Sequence, residues 1–477
     1  MAKEAYKQPD AADLNRFIDL LGMDGVHADD AQRERYSHDE TEDLRFPPSV
    51  VLTPSRAEDV AQLLGHCSRE RIPVTPIGAR TGLSGGALCV YGGVALSLER
   101  MNAITLIDEL NLQVITQPAV ITQELQEAVA AKGLYYAPDP ASRGTCFIGG
   151  NLAENSGGPR AVKYGVTKDW VLNLQVALPT GELIHTGVNT LKNSTGYNLT
   201  QLFVGSEGTL GVITSATLKL IPHPTQSLLM LVPFRSATDA CAAVSAIFRA
   251  GVTPSALEFM ERDAIELAME FTGKRPVDVA DDTMAHLLIE VDGHHESVLV
   301  DDCERIAKVV EEHGAGEVLF ADSDAQKEAL WFLRRRVGEA VKATSVYKEE
   351  DTVVPRYRLP ELLSGVKKIG NNFGFKSVCY GHAGDGNLHV NILKGNLTDE
   401  QWHEGLDEAI RQIFKLVVEL GGTLSGEHGI GLVQKEYMSL AFSDVELQRM
   451  WDLKRVFDPN LIMNPGKVFP SHYWKLT

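Results

Sequence analysis

No run of apolar residues in this chain approaches the roughly 20 that a membrane-spanning helix needs, and the N-terminus lacks the basic-then-apolar pattern of a secretory signal. No two cysteines form a CxxC pair. The six, Cys67, Cys89, Cys146, Cys241, Cys303 and Cys379, are scattered, which reads as reduced, mostly buried thiols in a protein that is cytoplasmic or peripheral to an inner membrane. Positive charge is scarce, 45 Lys and Arg against 64 Asp and Glu, for a net charge of −19. Nucleic acid is therefore not an expected partner, because its affinity rests on neutralised phosphates. A small anion is still compatible with this balance, since local positive charge inside a cleft can outvote the surface.

What is present is an ordinary globular composition, 44% apolar over 477 residues. That length suggests about three domains, or two large ones. Periodicity predicts an amphipathic helix from Pro9 to Gly22 and a strand from Phe46 to Leu52. A helix from Arg56 to Arg69 follows, capped by Ser55, then strands at Ile72 to Ile77, Gly93 to Leu98 and Ala103 to Asp108.

The strand ending at Ile77 runs into Gly78-Ala79-Arg80-Thr81-Gly82-Leu83-Ser84-Gly85-Gly86-Ala87. Glu99 downstream makes this loosely imitate a nicotinamide-binding unit. That fingerprint, however, needs Gly-x-Gly-x-x-Gly opening a helix, and Leu88-Cys89-Val90-Tyr91-Gly92-Gly93 cannot open a long one. The loop instead offers consecutive backbone N–H groups, an anion-cradling nest suited to a pyrophosphate. Two further stretches share its character. One runs from Pro138-Asp139-Pro140 through Thr145, Ile148-Gly149-Gly150-Asn151, Asn155 and Gly157-Gly158 to Tyr164-Gly165. The other is Gly205-Ser206-Glu207-Gly208-Thr209-Leu210-Gly211-Val212-Ile213. Glycine at this density lets backbone approach a large flat ligand closely.

A different constellation lies in the C-terminal third. Gly381-His382-Ala383-Gly384-Asp385-Gly386-Asn387-Leu388-His389-Val390-Asn391 follows an apolar run. On one straight strand His382 and His389 would face opposite ways, but a turn through the turn formers between them can bring the rings together. Ser425-Gly426-Glu427-His428-Gly429-Ile430-Gly431 adds a carboxylate and a third imidazole. His382, His389 and Glu427 form a credible set for a divalent metal such as zinc or manganese, with positions left open for substrate. Asp385 reads as a turn former.

Pro76 to Gly86, Ile148 to Asn151 and Gly205 to Gly211 resemble the FAD-binding domain of the vanillyl-alcohol oxidase and p-cresol methylhydroxylase superfamily. Gly381 to Asn391, Ser425 to Gly431 and Asn464-Pro465-Gly466-Lys467 resemble its FAD-linked oxidase C-terminal domain. Together they look like the D-lactate, glycolate and D-2-hydroxyglutarate dehydrogenase group, over about residues 45 to 469. The resemblance implies an α+β fold, a two-subdomain FAD-binding domain plus a cap domain of antiparallel sheet and helices. The boundaries expected are 1–44 for an N-terminal helical segment, 45–222 for the FAD domain, 223–443 for the cap and 444–477 for a tail returning to the flavin. Cofactor contacts are expected from the three loops, Asn464 included. No histidine or cysteine stands in 78–86, so FAD is expected to be bound noncovalently.

The same resemblance assigns metal ligation to His382, His389 and Glu427, proton abstraction to His428, and substrate contacts to Asn391, Arg334 and Lys348. Gly338 departs from the hydroxyglutarate pattern, where a threonine is expected, and Glu349, Glu350 and Asp351 could neutralise Lys348. A short substrate, D-lactate first and glycolate next, is therefore favoured over D-2-hydroxyglutarate. The electron acceptor is left open between a quinone, an electron-transfer flavoprotein and a cytochrome, and a homodimer is compatible with the sequence. The rivals are a flavin-dependent alkyl transferase, an iron oxygenase and an inactive binding module. The first would need a His-rich tract that is not here. The second leaves the glycine loops unexplained, and the third leaves the histidine set unexplained.

Overall fold

The computed structural model describes residues 6–41 and 44–474. The chain forms two compact units. One takes the chain as far as Gly157, then Gly165–His223 and everything from Glu427 onward; the other takes Gly158–Tyr164 and Pro224–Gly426. The loop from Glu427 to 443, expected with the cap, thus clusters with the first unit.

The first unit holds two main sheets. In the smaller, Val50–Leu52, Val94–Ser97 and Val74–Ile77 run parallel, with Val26–His27 antiparallel at one edge. Parallel strands need a crossover, and helix Ala57–Glu70 supplies one between Leu52 and Val74, whose strands flank Val94–Ser97. Its Val60, Leu63 and Leu64 recur at helical spacing and pack on Val50, Leu52, Val74 and Leu96. Ser55 does not cap this helix. Arg56 occupies the N-cap position in extended conformation and no side chain bonds the first turn. The larger sheet is antiparallel, in the order Ile104–Asp108, Gln113–Thr116, Val212–Lys219, Val171–Ala177, Leu183–His185. Ile148 to Asn151 is not a loop but the start of a short helix, Ile148–Glu154. Glycine is required there by packing rather than by a turn, because a Cβ on Gly149 would stand 2.6 Å from that of Pro118.

The C-terminal part of the chain completes this unit. After helix Asp444–Phe457, Ile462 O accepts from Val74 N and Asn464 N donates to Val74 O, adding a bridge beside the Val74–Ile77 strand. Lys454, wholly buried, donates to Thr209 O, Met463 O and Asp458 Oδ2 at 2.8–3.0 Å.

The second unit is built on one seven-stranded antiparallel sheet, ordered Leu319–Phe320, Gln226–Phe234, Ala285–Gly293, Ala256–Glu261, Lys376–Gly381, Asn387–Leu393, Tyr347–Val353. Ala285 to Asp292 is buried at every position, so both faces of this strand are covered. Helices Arg262–Thr272 and Asp324–Thr344 cover one face, packing Ile265, Met269, Leu333 and Val337 on Met260, Leu288 and Val378. The Gly158–Tyr164 segment is fastened here. Arg160 pairs with Glu290 Oε1 at 2.8 Å, Lys163 with Asp292 Oδ1 at 2.6 Å, and the Tyr164 hydroxyl donates to the same Asp292 oxygen at 2.8 Å.

Candidate active site

In the first unit a cavity is walled by the three glycine-rich stretches. It is lined by Pro76, Gly78 to Leu83 and Gly86 from the first, Gly149, Gly150, Asn151 and Glu154 from the second, Glu207, Gly208, Gly211 and Ile213 from the third, and by Asn464, Glu427 and His428. A Cβ at Gly82 or Gly150 would meet nothing within 4 Å, so space at these glycines is left for a ligand rather than filled by protein. That, with the apolar lining, fits a large flat cofactor.

Several of the lining side chains also hold the wall together. The Glu207 carboxylate accepts from Ile430 N at 2.9 Å and Gly431 N at 2.7 Å, which fixes the loop behind Glu427 and His428. Asn464 Nδ2 donates to the carbonyls of Gly86 and Glu207, and Asn151 Nδ2 to Thr122 Oγ1. Arg80, with φ +63°, bonds Arg35 O and stacks over the Tyr36 ring. Ser84, Gly85, Pro138, Asp139, Thr145, Ile148, Asn155, Gly157 and Gly165 are not among the lining residues. Gly158 and Tyr164 belong to the other unit altogether. Glu154 was not foreseen. Burial, and then the charge of Glu207 beside it, pushes its carboxyl well above the ordinary value.

In the second unit, strand Lys376–Gly381 turns through Ala383–Asp385 into Asn387–Leu393, and the turn brings the His382 and His389 rings to 5.4 Å between centroids, nearly perpendicular. Gly386 makes the turn possible, with φ +87° and a would-be Cβ only 2.0 Å from Val354 O. Gly386→Ala is expected to cost about 1–3 kcal/mol from the backbone alone and more from the clash. The comparison is Gly251→Ala, at φ +85° with nothing within 4 Å. Thermal melting should fall clearly further for the first, and equal losses would show that the Val354 contact relaxes at no cost.

Strand register supplies the neighbours. Phe259 pairs with Gly381 and Met260 with Tyr380, so one further step sets Glu258 opposite His382. Both Glu258 carboxylate oxygens lie 2.9 Å from His382 Nδ1, and Arg334 NH2 lies 2.6 Å from Oε2. Glu258 is wholly buried. Burial alone would raise its carboxyl, but the His382 and Arg334 charges hold it below the usual carboxylate value. The Arg334 guanidinium also lies over the Tyr380 ring at 5.1 Å, and Arg334 Nε, covered by protein, has no hydrogen-bond acceptor among the described residues.

On the other side, Asp351 pairs across the sheet with His389 and Glu349 with Asn391. The His389 Nδ1 atom lies 3.5 Å from Glu349 Oε1 and 3.8 Å from Asp351 Oδ1. Asn391 is wholly buried beside the Tyr380 phenol. Asp351 also accepts from Ser425 Oγ and Gly426 N, both at 2.8 Å. Lys348 is a correction. It pairs with Ile392, and because strand side chains alternate it projects from the face opposite to His389 and Asn391. Glu258 was missed because only register between distant strands reveals it; the one signal was a lone carboxylate in the apolar run Ala256 to Met260.

Sequence comparison agrees with this architecture. Residues 48–187 match the FAD binding domain and residues 223–468 the family described as FAD linked oxidases, C-terminal domain. A D-lactate dehydrogenase of Anaerostipes hadrus is 39% identical over 473 residues, covering 98% of this chain and 99% of the relative. A glycolate oxidase subunit of Bacillus subtilis is 37% identical over 457 residues, 95% of this chain and 96% of the relative. The crystal structure of p-cresol methylhydroxylase with substrate bound superposes with TM-score 0.79 at 17% identity, covering 96% of each chain. No described helix is long and apolar enough to cross a membrane. With a FAD-binding domain followed by the C-terminal domain of FAD-linked oxidases, the chain belongs to the FAD-linked oxidase family.

Proposed function

We propose that the protein is a FAD-dependent D-2-hydroxy acid dehydrogenase that oxidises D-lactate, and less readily glycolate, to the 2-oxo acid. The observation that carries this reading is the buried wall of the second unit, where His382, packed against His389, shares the Glu258 carboxylate with a guanidinium that has one unsatisfied donor. Such a wall suits a ligand carrying a carboxylate next to a hydroxyl. It adds to the names of the relatives, a D-lactate dehydrogenase and a glycolate oxidase subunit.

When bound, FAD accepts the C2 hydride of the substrate and a divalent cation such as zinc or manganese lowers the pKa of its hydroxyl, as for bound water. His382 and His389 hold the cation. The His382 N–H is directed at Glu258, so its ligand atom is Nε2. Glu427 would be the third ligand. His428 takes the hydroxyl proton on its imidazole, whose ordinary pKa suits a base near neutral pH. Arg334 orients the substrate carboxylate, and Asn391 lies beside Tyr380 to position it. Lys348 is left out because of its face.

The substrate is short. A second carboxylate near His389 would meet Glu349 and Asp351, and like charges at close range disfavour each other. FAD is held noncovalently: 78–86 has no tethering residue, and the Cys146 thiol in the cavity wall is engaged by Thr122 Oγ1 at 3.3 Å.

Under anaerobic conditions D-lactate is expected to bleach the flavin spectrum, glycolate more slowly, and D-2-hydroxyglutarate least. L-lactate should leave it unchanged, because a site that fixes hydroxyl and carboxylate presents C2–H to the flavin from one face only. Equal bleaching by both lactates would remove this reading. Fastest bleaching by D-2-hydroxyglutarate would replace it with the longer substrate.

A further inference from the structure

We infer that Glu258 is a positioning residue that links metal affinity to substrate affinity, because one carboxylate sets both the ligand atom of His382 and the pose of Arg334. The inference rests on the metal reading above and goes beyond it to a residue outside the ligand set.

Three features of the geometry support it. Glu258 accepts from His382 Nδ1 with both oxygens at 2.9 Å. An imidazole that donates at Nδ1 offers its lone pair at Nε2, and a carboxylate behind the ring makes that lone pair a better donor to a cation. The same carboxylate takes Arg334 NH2 at 2.6 Å while the guanidinium lies over Tyr380. This leaves Arg334 Nε buried and without an acceptor among the described residues, an unsatisfied donor that an anionic ligand would complete. Finally, Glu258 arrives from a different strand than the two histidines and is wholly buried between apolar neighbours. A carboxylate in that setting is stable only while its partners stay in place, so the three groups hold one another.

A plain structural salt bridge would have the same distances, and the test separates the two roles. Zinc binding to the FAD-loaded protein is measured by competition with a chromophoric chelator, alongside KM and kcat for D-lactate, flavin content and near-UV circular dichroism. Glu258→Gln keeps the shape but removes the charge behind His382. It is expected to weaken zinc binding by ~10–100-fold and to raise KM, with flavin content and dichroism unchanged. Arg334→Gln should raise KM and weaken zinc binding less than Glu258→Gln does, because His382 Nδ1 keeps both Glu258 oxygens. Should Glu258→Gln fail to fold, Glu258→Asp keeps the charge one methylene short of its partners, and zinc binding ~10-fold weaker is expected.

Zinc affinity unchanged in a folded Glu258 variant overturns the inference while the metal reading stands. A wild-type protein that binds neither zinc nor manganese overturns both.

Discussion

His428→Ala is expected to keep its FAD and its metal and to lose ~10²–10⁴-fold in turnover of D-lactate. The residue lines the cofactor cavity of the first unit, in a loop whose position is fixed by Glu207 through the Ile430 and Gly431 N–H groups. Truncating the imidazole therefore removes a proton acceptor without removing the loop. Added zinc or manganese should not restore the rate. Raising the pH should restore part of it, because hydroxide or water can stand in for the missing base. His382→Ala is the contrasting case, in which metal content and rate fall together and excess metal ion recovers part of the rate. Metal analysis beside steady-state kinetics checks both. If His428→Ala sheds the metal while His382→Ala keeps it, the roles are reversed and His428 is a ligand.

Lys454→Met is expected to destabilise the protein by about 3–5 kcal/mol and to loosen its hold on FAD. Lys454 and Asp458 are both wholly buried. Removing the cation strands a buried carboxylate, which is the costly way to break such a pair. Ile462 N and Met463 N still donate to Asp458, but they do not neutralise it. The carbonyls of Thr209 and Met463 also lose their donor. Thr209 lies in the third glycine-rich stretch, next to the cavity-lining Gly208, so the loss should reach the cofactor. A thermal melt and the flavin released on gel filtration report the two effects. A melting temperature within about a degree of wild type would show that Asp458 is satisfied without the lysine.

Much of the candidate site could be read from the sequence because its parts are local. Glycines that leave room for a ligand, as Gly82 and Gly150 do, are conspicuous in a sequence because few other roles demand them in clusters. The paired histidines were legible through the turn formers between them, and Gly386 shows why that turn needs glycine. Other features depend on partners far away in the chain. Glu258 acquires its role from a neighbouring strand, with His382 124 residues later. Lys348 was misplaced because a resemblance identifies a position but not a face, and a shift of one residue on a strand reverses the face. The sequence loop around Glu207 gave no sign that its carboxylate also holds backbone 223 and 224 residues away. Ser55 failed as a cap for a smaller reason, since the N-cap position falls on Arg56, one residue beyond it.

The division of the chain also bears on how the protein is made. The polypeptide passes between the two units four times, at Gly157, Tyr164, His223 and Gly426, so no single cut releases either unit whole. During synthesis the strand at Val74 must wait for Met463, Thr209 for Lys454 245 residues later, and Tyr6 for the carbonyl of Leu461 455 residues later. The nascent flavin-binding unit thus emerges from the ribosome with an open sheet edge and stays incomplete while the whole second unit is translated. Contacts of such long sequence separation slow folding, and unpaired strand edges are open to wrong partners in the interval. The cavity that Glu427, His428 and Asn464 help to line is consequently complete only after the second unit has been translated.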